Sequence, residues 1–192
     1  MNLLFYLIFL QFLNPVPPLD PSEKLTNLII KNLRYPAQAR VNKEVGIVLI
    51  SLKIDEKGEL DSVFVLENPS ELLTSESLRS IALLKANWES EMLGNNEFNK
   101  KYLMSFQFLS EGTDPITKEQ IEQLIVKEKY EKALAHLNFK TALHPYSYEW
   151  LELRSKIYFQ LGESVKFQTD YMKAKSLKRE ILASFVITAF GG

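Results

Sequence analysis

A strand–turn–strand pattern in residues 46–67 limits the possible folds more than any other feature of the chain. In "GIVLISLKI", alternate residues are apolar and therefore share one face of a strand: Val48, Ile50, Leu52 and Ile54. "DEKG" (55–58) follows as a turn in which Gly58 can adopt a positive φ. "LDSVFVLEN" then returns antiparallel and ends before Pro69. The segment is predicted to be a β-hairpin.

The regions on both sides of this hairpin predict helices and one more strand. "DPSEKLTNLIIKNL" has an apolar helical stripe that ends before Pro36, and Leu78, Ile81 and Trp88 recur at helical spacing after the hairpin. "KKYLMSFQFL" alternates as a third strand. The predicted fold class is α+β, with a small domain over residues 20–110 that has a three-stranded antiparallel sheet and two helices.

The residues after Pro115 have a helical pattern throughout. "SEGTDP" (110–115) is typical of a short domain boundary. We predict an all-α domain over residues 115–192 with helices at about 116–127, 130–143, 147–160 and 163–177. The apolar "ILASFVITAF" is too short to span a membrane, so a final helix at about 179–190 is expected to close the stack.

The N-terminal residues 1–19 are interpreted as a signal peptide or a short hydrophobic segment. "LLFYLIFLQFL" is about 16 Å long as a helix, too short for a hydrocarbon core of about 30 Å. Its length suits the apolar part of a secretory signal, although no Lys or Arg precedes it and no Ala-x-Ala site follows. An uncleaved anchor and a wrongly assigned start are the alternatives.

The composition argues against several classes of function. The 192-residue chain has a formal net charge of −1 and no cysteine. It has no global basic field for nucleic acid, and it lacks disulfides, thiolate metal sites and a lipid-modified N-terminal cysteine. His136 and His144 form no recognised ligand set with nearby acidic residues, and no glycine-rich phosphate loop occurs. We expect no enzyme activity, no catalytic residues, no metal and no cofactor.

The spacing of short motifs over about residues 30–108 resembles the C-terminal domain of the TonB family. The motifs are Tyr35-Pro36, Ala39-Arg40, Gly46, Val48, the Asp55/Gly58 turn, Val63, Val65, Leu78, Ala82 and Trp88. A proline that often follows the tryptophan is absent from "WESEMLGNNEF", and "NPVPPLDP" is too short for a spacer that crosses the periplasm. The resemblance implies an envelope protein that captures a short receptor segment by strand pairing.

Residues 115–192 resemble degenerate tetratricopeptide repeats. "YEKALAHLNFKTALHP" places Tyr130, Ala133, Leu137 and Pro145 at the spacing of the second helix of a repeat of about 34 residues. A comparable pattern begins one repeat later, at Ser164. About three repeats are usually needed for stability. Packing against the first domain or the last helix is therefore expected to complete the fold.

Strand addition is the expected binding mode of the first domain. An extended peptide can pair with an exposed sheet edge through main-chain hydrogen bonds. We predict that the third strand forms this edge, with the candidate residues Lys101, Tyr102, Leu103, Met104, Ser105, Phe106, Gln107 and Phe108.

A helical groove is the second candidate surface. The first helix of each repeat normally lines the concave side, which gives the candidates Lys118, Glu122, Glu149, Glu152, Lys156 and Phe159. Mixed charge at these positions suits a peptide held by polar contacts. The alternative is that this half only supports the sheet.

These features together predict an exported, periplasmic or envelope-located binding and scaffold protein. The expected partner is a protein or peptide, with an outer-membrane receptor or an envelope complex as the implied type and a homodimer through sheet edges as a further possibility. The main alternative is a TonB-type energy transducer for receptor-dependent transport, anchored in the inner membrane by the N-terminal run. An enzyme with an unrecognised site is a third class.

Overall fold

The computed structural model describes residues 21–113 and 116–189, and the side chains of residues 21 and 22 are outside this description. The predicted N-terminal segment 1–19 also lies outside the described residues. The first half contains α1 (Pro21–Asn32), α2 (Ala37–Val41), β1 (Gly46–Ile54), β2 (Leu60–Glu67), α3 (Glu71–Ala86), a 3-10 turn (Ser90–Leu93) and β3 (Lys100–Ser110). The second half contains α4 (Lys118–Val126), α5 (Tyr130–Leu143), α6 (Tyr148–Gln160), α7 (Ser164–Glu180) and β4 (Ile181–Ala189). The predicted mixed α+β class with a helical C-terminal region is confirmed.

The hairpin predicted from the sequence is β1–β2. The two strands pair antiparallel, with Leu52 opposite Val63. In the turn, Gly58 has a φ of 82°, and the Asp55 carboxylate accepts hydrogen bonds from the backbone N–H groups of Lys57 and Glu59 at 2.8 Å. The carboxylate therefore stabilises the turn conformation that the glycine makes accessible.

The first face of the sheet forms the main hydrophobic core. Alternate residues of β1 and β3 are 0–1% exposed, namely Val48, Ile50, Leu52, Ile54, Tyr102, Met104, Phe106 and Phe108. Buried residues of α1 and α3 pack in the same cluster, including Leu25, Ile29 and Leu84. The hydrophobic effect thus fixes the two helices on this face.

The second face of the sheet is covered by the helical region. Gln107 points to this face because its neighbours Phe106 and Phe108 point to the core, and its Oε1 lies 2.6 Å from His144 Nδ1. The Tyr146 hydroxyl donates to the Glu67 carboxylate of β2. The protein therefore has three layers, with the sheet between two sets of helices.

The helical region has its own small core. Ile121, Ala133, Leu137, Leu153 and Ile157 form a buried cluster that connects α4, α5 and α6. The observed bounds of α5 are those predicted from the sequence, and those of α4 and α6 differ by one or two residues. The repeat assignment itself stays a prediction.

The final helix predicted at about 179–190 is wrong, because residues 181–189 form β4. β4 pairs parallel with β3, from Leu103 opposite Ile181 to Ser110 opposite Ala189. The sheet consequently has four strands rather than three, in the order β2-β1-β3-β4. Val186, Ile187 and Thr188 are β-branched, which favours a strand wherever a partner strand is available.

Candidate peptide-binding edge

The predicted edge strand is not an edge of the sheet. β3 lies between β1, with which it pairs antiparallel, and β4, with which it pairs parallel. The prediction is wrong because it depended on a three-stranded sheet, and from Leu103 to Phe108 both rows of backbone groups along β3 face strands of the chain. The correction applies to Leu103, Met104, Ser105, Phe106, Gln107 and Phe108, whereas Lys101 and Tyr102 pair only with β1 among the described strands.

Among the described residues, the two edges of the sheet are β2 and β4. β2 is poorly suited to strand addition, because register shifts near both ends leave Asp61 and Leu66 outside the regular pairing. Such bulges bend an edge strand and interrupt its row of hydrogen-bonding groups. The Asp61 carbonyl also accepts a hydrogen bond from Lys85 Nζ at 3.1 Å.

The outer edge of β4 is more regular. Its pairing with β3 continues without a shift from Ala183 to Ala189. Phe185 anchors the strand, because it is 5% exposed and stacks on Phe106 with 5.4 Å between ring centroids. Ile187 also packs against the core. β4 is thus held firmly on one side while its other side borders no further strand of the described chain.

An apolar cavity adjoins this outer edge. It has a volume of about 430 Å³ and is lined by residues 184–188 of β4 together with Thr26, Ile30 and Leu33. These three residues share one face of α1 and its extension, at i, i+4 and i+7. The Ile30 side chain is 59% exposed. The cavity can accept apolar side chains of a strand that pairs with β4, because alternate residues of such a strand point toward α1.

The residues that carry the sequence resemblance hold the first domain together. The Tyr35 ring packs edge-on against Phe108 at 5.4 Å, and its hydroxyl donates to the Glu44 carbonyl. Trp88 Nε1 donates to the Gly58 carbonyl at 2.9 Å, which ties the end of α3 to the hairpin turn. These contacts assign both aromatic residues a structural role.

The six predicted groove residues lie in three places rather than along one groove. Lys118 and Glu149 form an ion pair at 3.3 Å between α4 and α6. Glu122 lines a cavity of about 500 Å³ on α4. Glu152, Lys156 and Phe159 line a separate cavity of about 470 Å³ between α6 and α7. Whether any of them binds a ligand stays a prediction.

The interface between the sheet and the helical region contains polar groups with identifiable partners. Burial, followed by the Glu67 carboxylate, raises the pKa of Tyr146 to about 12. His144 is 8% exposed and contacts Gln107, so its position is accounted for by packing. Within residues 21–113 and 116–189, no three His, Cys, Asp or Glu side chains cluster closely enough to hold a metal ion.

Family comparison covers about two fifths of the chain. Residues 31–109 match the family model of the Gram-negative bacterial TonB protein C-terminal. The resemblance over about residues 30–108 is therefore confirmed. Searches of curated proteins and of solved structures returned no match. The TonB C-terminal match indicates a protein-interaction role associated with the cell envelope, and it ends at β3, so the helical region and β4 lie outside it.

The sequence interpretation missed the residues at the candidate edge, which are 184–188 of β4 and Ile30 of α1. A signal for β4 was present, since "ASFVIT" combines three β-branched residues with an aromatic one. No comparable signal marked Ile30, because its role depends on which strand lies beside α1.

Proposed function

We propose that this protein binds extended polypeptide segments in the cell envelope by strand addition at the outer edge of β4. The observation that carries the proposal is the regular outer edge of β4, which borders no further strand of the described chain and lies beside the apolar cavity of Ile30 and Leu33. A guest strand would form main-chain hydrogen bonds along residues 183–189 and place alternate apolar side chains in the cavity. Such binding needs no catalytic group, metal or cofactor.

The expected guest is a segment of an outer-membrane receptor or of an envelope complex. The TonB C-terminal match supports this type of partner. The helical region packs on the opposite face of the sheet and supplies β4 through α7. We infer that it serves as a scaffold for the edge. A periplasmic location is part of the proposal, as is the export signal within residues 1–19.

Site-specific photo-cross-linking in intact cells tests this proposal. A photoreactive phenylalanine replaces Val186, which is 54% exposed on β4, and in a matched control replaces Phe64, which is 55% exposed on β2. The expected result is a cross-linked peptide at position 186 from an outer-membrane or periplasmic protein, and none at position 64. Ile30→Arg should abolish the adduct, whereas Val126→Arg on α4 should not. Adducts at position 64 alone, or unaffected by Ile30→Arg, would contradict the proposal.

A TonB-type energy transducer is the second candidate, and the family match favours it. None of the described helices has the length and apolar character that crossing a bilayer requires. Cell fractionation with N-terminal sequencing separates the two functions. A processed chain in the periplasmic fraction supports peptide binding without transduction. An intact chain in the inner membrane, together with loss of receptor-dependent uptake in a deletion strain, supports transduction.

A further inference from the structure

The helical region carries an exposed aromatic surface, here called the α6–α7 groove. Phe159, Phe167 and Tyr171 line its cavity of about 470 Å³ together with Glu152 and Lys156. The three rings form a continuous series, with centroids 5.4 Å and 5.6 Å apart. Phe159 is 64% exposed and Tyr171 is 47% exposed. Neighbouring exposed aromatic side chains of this kind are a common feature of protein-binding sites.

The chain order explains why this groove is open. α4, α5, α6 and α7 follow one another in the helical region, but α7 leads directly into β4. No described helix therefore follows α7 to cover its outer side, where Val165 is 79% exposed and Met172 is 61% exposed. The terminal unit of a helical stack normally has a polar outer face. Here that face is mixed, because Val165 and Met172 are exposed among polar residues such as Gln168 and Lys175. The space between two adjacent helices has the shape that accepts a third helix.

The charges around the groove indicate which helix would fit. Lys156 and Lys175 are exposed and form no ion pair with any described residue. The nearby acidic groups are already engaged, because Asp170 pairs with Arg154 at 2.7 Å and Glu152 pairs with Lys178 at 3.5 Å. A second copy of this chain would bring two sets of free lysines together, which disfavours self-association.

We propose that the α6–α7 groove binds an acidic amphipathic helix of another protein. The apolar stripe of that helix packs on Phe159, Phe167 and Tyr171, and its carboxylates face Lys156 and Lys175. Lys175 lies one turn beyond Tyr171 on the same side of α7, so both lysines flank the aromatic series. This site is separate from the β4 edge and goes beyond the proposed function.

Two synthetic peptides of about 18 residues provide the probe, with the same leucine stripe on one face and either glutamates or lysines on the other. Binding to the purified full chain is measured by fluorescence anisotropy at low and high salt. The expected result is that the glutamate peptide binds about tenfold or more tightly than the lysine peptide. Phe159→Ser should weaken this binding by about tenfold or more, and Lys156→Glu should reverse the preference between the peptides. Val126→Ser and Lys127→Glu, at the C-terminal end of α4, serve as matched controls and should change neither the affinity nor the preference.

Each remaining outcome overturns the proposal. Equal binding of both peptides, or binding unaffected by Phe159→Ser, would show nonspecific adsorption. Absence of binding by either peptide would show that the groove accepts no such helix. Sedimentation velocity detects the competing occupant, since a dimer dispersed by Phe159→Ser would assign the groove to a second copy. The replaced side chains are exposed, and circular dichroism of each variant verifies its fold.

Discussion

Replacement of Phe185 by alanine tests whether β4 is an integral part of the sheet. The side chain is 5% exposed and stacks on Phe106 at 5.4 Å. Burial of on the order of 120 Å² of its apolar surface contributes about 3 kcal/mol at about 25 cal/mol per Å². Loss of the aromatic pair adds about 0.5–1.5 kcal/mol. We expect Phe185→Ala to lower the free energy of unfolding by about 3.5–4.5 kcal/mol, as in other buried phenylalanine truncations.

The assay is urea unfolding combined with hydrogen exchange of the peptide that covers β4. Val186→Ala is the matched control, because Val186 is the next residue on the same strand and is 54% exposed. It should change the free energy of unfolding by about 0.5 kcal/mol or less. Phe185→Ala should also accelerate exchange in β4 and in β3, since detachment of β4 exposes the backbone groups that join them.

Equal effects of the two replacements would refute this reasoning. An unchanged rate of hydrogen exchange in β3 after Phe185→Ala would also refute it, because β4 would then contribute little to the protection of β3.

Three further predictions concern other parts of the structure. Asp170→Ala leaves the Arg154 guanidinium without its 2.7 Å partner and should cost about 3 kcal/mol in urea unfolding, whereas loss of the exposed Lys166–Glu163 pair should cost less than about 1 kcal/mol. Gly46→Ala should cost about 2 kcal/mol or more, since φ is +146° and the new Cβ would lie 2.6 Å from a proline side chain. Because the pKa of Tyr146 is raised from 10.0 to about 12, its contribution to stability is complete below pH 10 and is lost as pH rises toward 12. Over this pH interval, the melting temperature of the Tyr146→Phe variant should therefore fall less than that of the unmodified protein.

Local patterns were sufficient for most of the helices and for the hairpin. β1 and β2 could be predicted because alternating residues and the "DEKG" turn determine their pairing within a short segment. α5 could be predicted to the residue because Ala133 and Leu137 mark its buried face and His144 with Pro145 marks its end. Such features are determined by residues that are close together in the sequence.

β4 could not be predicted in the same way. "ILASFVITAF" is a short apolar run, and periodicity alone does not separate a strand from a helix in such a segment. Its conformation is decided by pairing with β3, a partner far away in sequence. The candidate edge depends on the same pairing, so the error in one element placed the predicted binding edge on β3 rather than on β4.

The parallel pairing of β3 with β4 also affects the order in which the chain can mature. β3 ends at Ser110, and its partner is synthesised only after the whole helical region. A nascent chain therefore carries a half-satisfied β3 for the time needed to make some seventy residues, during which contacts of such long separation form slowly. An interruption of synthesis in that interval would leave an aggregation-prone intermediate with one side of β3 unpaired, which is the kind of species that chaperones keep in solution.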